Sequence, residues 1–434
     1  MSAIERTQLP VGWQWCALAD VAEVRLGRQR SPKNHSGPNM VPYLRAANVT
    51  WSGLDLSDVK EMQFSADEVE TYRLEPGDIL VAEASGSASE VGKPAIWRGE
   101  LETACFQNTL IRVRSRGPLP EYLFVVLREA AVSGQFGRSA PGVGIHHLGA
   151  KRLSGWRIPL PPESDQARIA EAVQRNMTLI DLGMRELDEG SKRAAAYVAA
   201  AVRDVFANFI GVRVRPLGEI ADIRSGLTKG RKTKGEVSEH PFLRAANVRA
   251  GALDLDEVKT IPATQAEAGR FRLEPGDVLM IEGSGSDRRL GQGWVWEGQV
   301  EGCLHQNHVF RARPAADAID PYFLAWFLVT QQARGYFLRN AKTTAGLSSI
   351  NRSQVAALPV PTPSLDEQAR AVATFNNIAR VGAELQHAIF TERRRADQLV
   401  RSLLHAACTG TLVHSRESFD RVDGENRPAA HVTA

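Results

Sequence analysis

Two long stretches of the chain carry apolar side chains at steps of three, four and seven. In the first they fall at Ile169, Val173, Ile180, Leu187, Ala194 and Ala201. In the second they fall at Ala371, Phe375, Ile378, Leu385, Ile389, Ala396, Leu399 and Leu403. This is a heptad stripe, and it predicts helices over about 164–208 and 365–408. Adding 202 to the first register maps it onto the second. Ser364 followed by Glu367 reads as a capping box at the second start. About 40 residues rising ~1.5 Å each give a rod of roughly 60 Å. A stripe this long predicts that the two helices pair as an antiparallel coiled coil. The alternative is that each lies only on its own globule.

Ahead of each helix the pattern changes. Gly and Pro break the chain into short segments, and Leu110-Ile-Arg-Val-Arg114 and Val309-Phe-Arg-Ala-Arg313 alternate apolar with basic, as half-buried strands do. Pro-Gly-Asp at 76–78 and 275–277 predicts a turn before a short apolar strand. Segments near 121–132 and 321–334 have a helical pattern. The fold class expected is α+β: two mixed α/β globules, each followed by a long helix, in a pseudo-two-fold arrangement. The expected boundaries are 1–162 and 211–363 for the globules, 163–210 and 364–413 for the helices, and 414–434 for a polar, disordered tail.

The two halves are copies. Pro42-Tyr-Leu-Arg-Ala-Ala-Asn-Val49 recurs as Pro241-Phe-Leu-Arg-Ala-Ala-Asn-Val248, and Arg73-Leu-Glu-Pro-Gly-Asp-Ile-Leu80 as Arg272-Leu-Glu-Pro-Gly-Asp-Val-Leu279. Ser85-Gly-Ser87 recurs as Ser284-Gly-Ser286 and Gln107-Asn108 as Gln306-Asn307, all at one offset of 199. Further on, Pro159-Leu-Pro161 and Gln166-Ala-Arg168 match Pro361-Thr-Pro363 and Gln368-Ala-Arg370 at 202. A period this long is a duplicated domain pair rather than a solenoid.

Composition adds limits. With 434 residues, 43% hydrophobic and 24% charged, the chain is globular and too long for one core. A net charge of +3 does not mark a nucleic-acid binder by bulk, so any DNA footprint must come from local patches. Cys16, Cys105, Cys303 and Cys408 lie far apart, which argues against a zinc site or disulfide framework. No apolar run is long enough to cross a membrane, and a cytoplasmic location is expected.

A search for chemistry finds no site. Asp320-Pro-Tyr-Phe323 lacks a second Pro for a methyltransferase base clamp and reads as a loop entering a helix. Gly283-Ser-Gly-Ser286 is not followed by Gly-Lys-Ser/Thr. Glu83 and Glu282 recur without a companion acid, and His146-His147 is replaced by Ser348-Ser349, so a shared metal site is not expected.

Polar residues in loops suit DNA instead. Arg45 and Asn48, with Arg244 and Asn247, bring guanine- and adenine-reading types together, although residues shared by both copies also fit scaffold or phosphate roles. Gln107, Asn108, Gln306 and Asn307 have the same standing, as do Ser85, Ser87, Ser284 and Ser286 in loops that approach a DNA backbone. Lys229, Arg231, Lys232 and Lys234 cluster where the first copy holds Arg28, Arg30 and Lys33, beyond the aligned Gly226 and Gly27. Such loops neutralise phosphates, or are simply solvated charge. Lys93 stands where the second copy has Gln292. The stretches that differ are the better specificity candidates: Ser139–His147, with His146 and His147, against Lys342–Ser349, with Lys342, and Thr109 against His308.

These residues resemble the specificity subunit of type I restriction-modification enzymes. The resemblance spans nearly the whole chain. It is carried by Leu9-Pro-Val-Gly-Trp13, Gly77-Asp-Ile-Leu80 and its copy, Pro159-Leu-Pro161 leading to Asp165-Gln-Ala-Arg-Ile169, Pro361-Thr-Pro363 leading to Glu367-Gln-Ala-Arg370, and the closing Ser402–Val413 segment. It implies two target-recognition domains, each reading one half of a split double-stranded DNA sequence, with the helices fixing the gap. It also implies docked methyltransferase subunits, a restriction-translocase subunit, and no catalytic residue or cofactor on this chain, S-adenosylmethionine and ATP belonging to the partners. The long identical strings shared by the copies predict half-sites that are partly palindromic.

Overall fold

A computed structural model describes residues 8–139, 146–232, 235–284, 289–344 and 347–413; the expected tail, 414–434, lies outside them. The chain divides into two compact units. One comprises Met1–Leu187 with Thr391–Ala434, the other Asp188–Phe390.

In the first unit a four-stranded antiparallel sheet runs in the order Ala22–Leu26, Leu110–Ser115, Ile79–Ala82, Pro94–Ile96. Ile79-Leu-Val-Ala82 is apolar throughout and buried throughout, because both faces are covered. Ile79 and Val81 join Tyr122, Leu123 and Leu127 of the Pro120–Val132 helix, while Leu80 joins Trp97 and Phe106 on the other side. A smaller sheet sets Cys105–Phe106 parallel to Met40–Leu44, with Lys60–Gln63 antiparallel beyond it.

The second unit repeats this design. Its larger sheet runs Ala221–Ser225, Val309–Pro314, Val278–Ile281, Gly293–Val295, and its smaller one Lys259–Ala263, Ser238–Leu243, Leu304–His305.

The strands read as half-buried differ from expectation. Leu110–Ser115 has a neighbour on each side, and Arg112 is buried rather than wet. Its Nη2 donates to Glu23 Oε1 at 2.9 Å and its Nη1 to Arg73 O at 2.9 Å. Arg311 is likewise buried, 2.6 Å from Asp222. A guanidinium is tolerated inside only when paired, so the alternation records a buried guanidinium held by a carboxylate nearer the surface.

The repeated Pro-Gly-Asp turn is also structural. Gly77 and Gly276 take φ of 97° and 92°, which favours glycine. The buried Asp78 accepts from Glu75 N at 2.7 Å and Asp277 from Glu274 N at 2.7 Å. Arg114 and Arg313 each donate twice to the same carboxylates.

The helical segment expected near 321–334 is two helices, Pro321–Leu328 and Gln331–Asn340, because Thr330 starts a new one by accepting from Ala333 N. Asp320 caps the first, its Oδ1 accepting from Tyr322 N and Phe323 N, which accounts for the Asp320–Phe323 string.

The long helices are Glu163–Ala207 and Leu365–Thr409. Each unit contains half of each. In the first unit Ile169, Val173 and Met177 share a core with Leu404, Ala407 and Cys408. In the second, Phe206 stacks on Phe375 at 4.9 Å, and Ser191 Oγ donates to Gln386 Oε1 at 3.0 Å. Within both units residue numbers rise along one helix as they fall along the other, so the pairing is antiparallel. Each pair also packs on its globule: Phe206 meets Phe323 at 5.2 Å and Phe327 at 5.7 Å. The helices therefore pair as expected, and the alternative, each lying only on its own globule, does not hold.

Candidate nucleic-acid interface

In each larger sheet one inner strand, Ile79–Ala82 or Val278–Ile281, is followed by an acidic residue, Glu83 or Glu282, and the loops meet there. Glu83 N donates to Thr109 O, and Leu148 N donates to Glu83 O. Ala84–Ser85 pairs with His146–His147, His146 opposite Ser85 and His147 opposite Ala84. Asn108 N donates to Arg28 O, and Gln107 bridges Arg28. Backbone bonds thus stitch Arg28, Ser85, Gln107, Asn108, His146 and His147 into one edge.

The second unit builds the same edge. Glu282 N donates to His308 O, Ile350 N to Glu282 O, and Asn307 N to Leu227 O, while Gln306 bridges Leu227. Gly283–Ser284 pairs with Leu347–Ser349, which pairs in turn with Lys342–Thr344. Gly27 and Gly226 are explained by proximity, since a Cβ would overlap the carbonyl of Gln107 at the first and of His305 at the second. Of Ser284 only the backbone is described, and Ser286, Lys234 and residues 140–145 lie outside the described residues.

Both carboxylates hold an imidazole. His147 Nδ1 lies 3.1 Å from Glu83 Oε2, and His308 Nδ1 lies 2.9 Å from Glu282 Oε2. His146 and His147 are neighbours on a strand, so they point to opposite faces and do not converge on one ion. Among the described residues no group of three or more His, Cys, Asp or Glu could hold a metal.

Several candidates are engaged inside the protein. Asn48 is buried: its Nδ2 donates to Asp55 O at 2.9 Å and Asp58 O at 3.2 Å, and its Oδ1 accepts from Arg45 N at 3.1 Å. Asn247 repeats all three bonds with Asp254, Glu257 and Arg244. Arg45 pairs with Asp58 at 2.6 Å and Arg244 with Glu257 at 3.0 Å. The shared Arg-Ala-Ala-Asn string therefore builds a turn.

Arg28 donates to Glu68 at 2.7 Å and lies over the Phe64 ring. Arg231 grips Glu267 with two bonds, at 2.8 and 2.7 Å, and draws its carboxyl down to about 2. Lys93 pairs with Glu90 at 2.5 Å, near the Trp51 ring.

Other candidates face water. Lys33, Lys229 and Lys232 are exposed, as are Ser87 and Lys342, and Arg30 is exposed with its Nε donating to His35 Nε2 at 3.0 Å. The basic loops thus combine an anchoring arginine with free cations around it. Sequence reasoning did not find the His–Glu pairs. Glu83 and Glu282 stood out only as recurring acids, and the signal lay in the exchange of Thr109 for His308.

The type I restriction modification DNA specificity domain matches the chain twice, over residues 10–189 and 210–392. The chain belongs to this family. In this specificity-domain protein the two matches end within a few residues of the unit boundaries at Leu187 and Phe390. The chain is 24% identical to the EcoKI specificity subunit of Escherichia coli K12 over 444 residues, covering 98% of this chain and 94% of that protein. It is 24% identical to the StySPI specificity subunit of Salmonella potsdam over 446 residues, covering 98% and 95%. The HsdS subunit from Thermoanaerobacter tengcongensis shares the fold with a TM-score of 0.52 at 20% identity, over 94% of this chain and all of that one. A chain from a structure of a type I R-M system, described for complex assembly and conformational transition, superposes with a TM-score of 0.68 at 19% identity, over 93% and 99%.

Proposed function

We propose that this chain is the DNA sequence-specificity subunit of a type I restriction-modification system, binding a bipartite duplex target and bringing methyltransferase and restriction subunits to it. The observation that carries this reading is the loop edge built twice, once beyond the inner strand that leads to Glu83 and once beyond the one that leads to Glu282, in a chain that matches the DNA specificity domain twice. Exposed Arg30, Lys33, Lys229 and Lys232 supply cations for phosphates beside each edge. Each unit reads one half-site.

Methyltransferase subunits dock on the long helices. Tyr197 and Leu399, related by the offset of 202, are 60% and 59% exposed on the two helices, one in each unit. An aromatic or leucine left open at equivalent places fits one partner contact per unit. Catalysis belongs to those partners, with S-adenosylmethionine and ATP bound there.

Selection from random duplexes, with and without methyltransferase subunits, tests this. A split consensus is expected. Binding without sequence preference in both cases would leave a scaffold that does not read DNA, and methyl transfer by the purified chain alone would make it an enzyme.

A further inference from the structure

The carboxylate–imidazole pairs are equivalent in place and unlike in origin. Glu83 and Glu282 correspond at the offset of 199, but His147 comes from the strand opposite Ala84–Ser85, whereas His308 stands at the position of Thr109. Thr109 Oγ1 instead accepts from Ala46 N at 3.1 Å. The same dyad has been assembled at the same spot from different parts of the chain. Folding does not demand it, because both imidazoles are 58% exposed and surface ion pairs contribute only ~0–1 kcal/mol.

Resting on the DNA-reading function above, we propose that these dyads are the base-reading elements of the two half-sites: Nε2 of His147 and of His308 meets a base edge in the major groove, and Glu83 and Glu282 are positioning residues that fix ring and tautomer. A carboxylate accepting from Nδ1–H makes Nε2 of the neutral ring an acceptor. An acceptor at that atom suits the exocyclic amine of cytosine or adenine. In the second unit Asn307 Nδ2 already lies 3.4 Å from His308 Nε2, and an incoming base amine would take its place.

The test is selection from a pool of random duplexes by the full-length chain in the complex purified from its host. His147→Ala and Glu83→Ala should relax preference at one and the same base pair of one half-site. The ratio of preferred to altered duplex should fall about tenfold or more. Glu83→Gln, which keeps an acceptor for Nδ1–H, should restore part of it. His308→Thr, which installs the residue of the other copy, and Glu282→Ala should do the same in the other half, with Glu282→Gln recovering. A parent that selects a split motif while its variants keep that motif, or lose affinity equally at every position, overturns the dyads alone. A parent that selects no motif overturns the DNA-reading function with them.

Discussion

Glu68 and Glu267 correspond between the units, yet they are claimed by arginines from different positions. Arg28 aligns with Leu227, and Arg231 aligns with Pro32. What is preserved is an ion pair from the basic loop to a capping-box glutamate, whatever residue supplies it. Two other residues separate the units by chemistry. His305, where the first copy has Phe106, is buried with Nδ1 bonded to Val309 O at 2.8 Å, and burial pushes its imidazole down to about 4. A folded value below the unfolded one means that its contribution is complete above the unfolded value of ~6.5 and is lost as pH falls towards 4. Glu129 behaves oppositely. Burial raises its carboxyl to about 7, so its contribution is complete below ~4.5 and is lost as pH rises to 7. Denaturant titrations should therefore show the second unit weaker at pH 5 than at pH 7.5 by on the order of 2 kcal/mol more in the parent than in His305→Phe. Glu129→Gln should remove part of the first unit's decline between pH 5 and 7. Equal pH slopes in parent and variant would refute either assignment.

At the scale of elements, the turn 45–48 and its copy 244–247 decide what the repeated string is for. Asn48→Ala removes a buried amide that holds the carbonyls of Asp55 and Asp58 and should cost about 1–3 kcal/mol, with any loss of DNA affinity equal across all sequences. A change of base preference in that variant would instead make Asn48 a reader. The long helices give a second test. Phe206 lies against Phe375, Phe323 and Phe327, and Phe206→Ala should destabilise the second unit by about 3–5 kcal/mol in thermal or denaturant unfolding. Both helices were legible because a period near 3.5 sustained for 45 residues overrides local noise. Phe206 itself was not in the stripe, since it packs on the globule as well as the partner helix. Gly382 was equally silent: a Cβ there would come within 2.7 Å of Val198 Cγ2, a close approach that only the partner helix reveals. In the candidate interface, composition could nominate Arg28, Arg231 and Asn48 but not say that each was already bonded within the fold. Local sequence carries residue type, while the availability of a side chain is set by its partners, 40 and 36 positions away for Arg28 and Arg231 and seven and ten for Asn48.

For the whole molecule, the distinction between shared and differing positions changes the expected target. Identity between the copies had suggested similar half-sites. The identical strings turn out to build the Pro-Gly-Asp turn, the asparagine turn and the glycine contacts, none of which needs a particular base. The two halves are therefore expected to differ, and mapping methylated positions in the host genome checks this; halves that are inverted copies of one another would refute it.

The division of the helices between the units bears on the order in which the chain can mature as it leaves the ribosome. The second unit is continuous, Asp188–Phe390, whereas the first needs Thr391 onwards to cover Ile169, Val173 and Met177. Chains are made at about 5–20 residues per second, and domains fold as they emerge. The first of the two globules thus waits for the segment that follows Phe390, with its apolar helix face uncovered, while the second can close beforehand. A chain ending at Phe390 and released from the ribosome should protect the second unit from protease and leave the first one open.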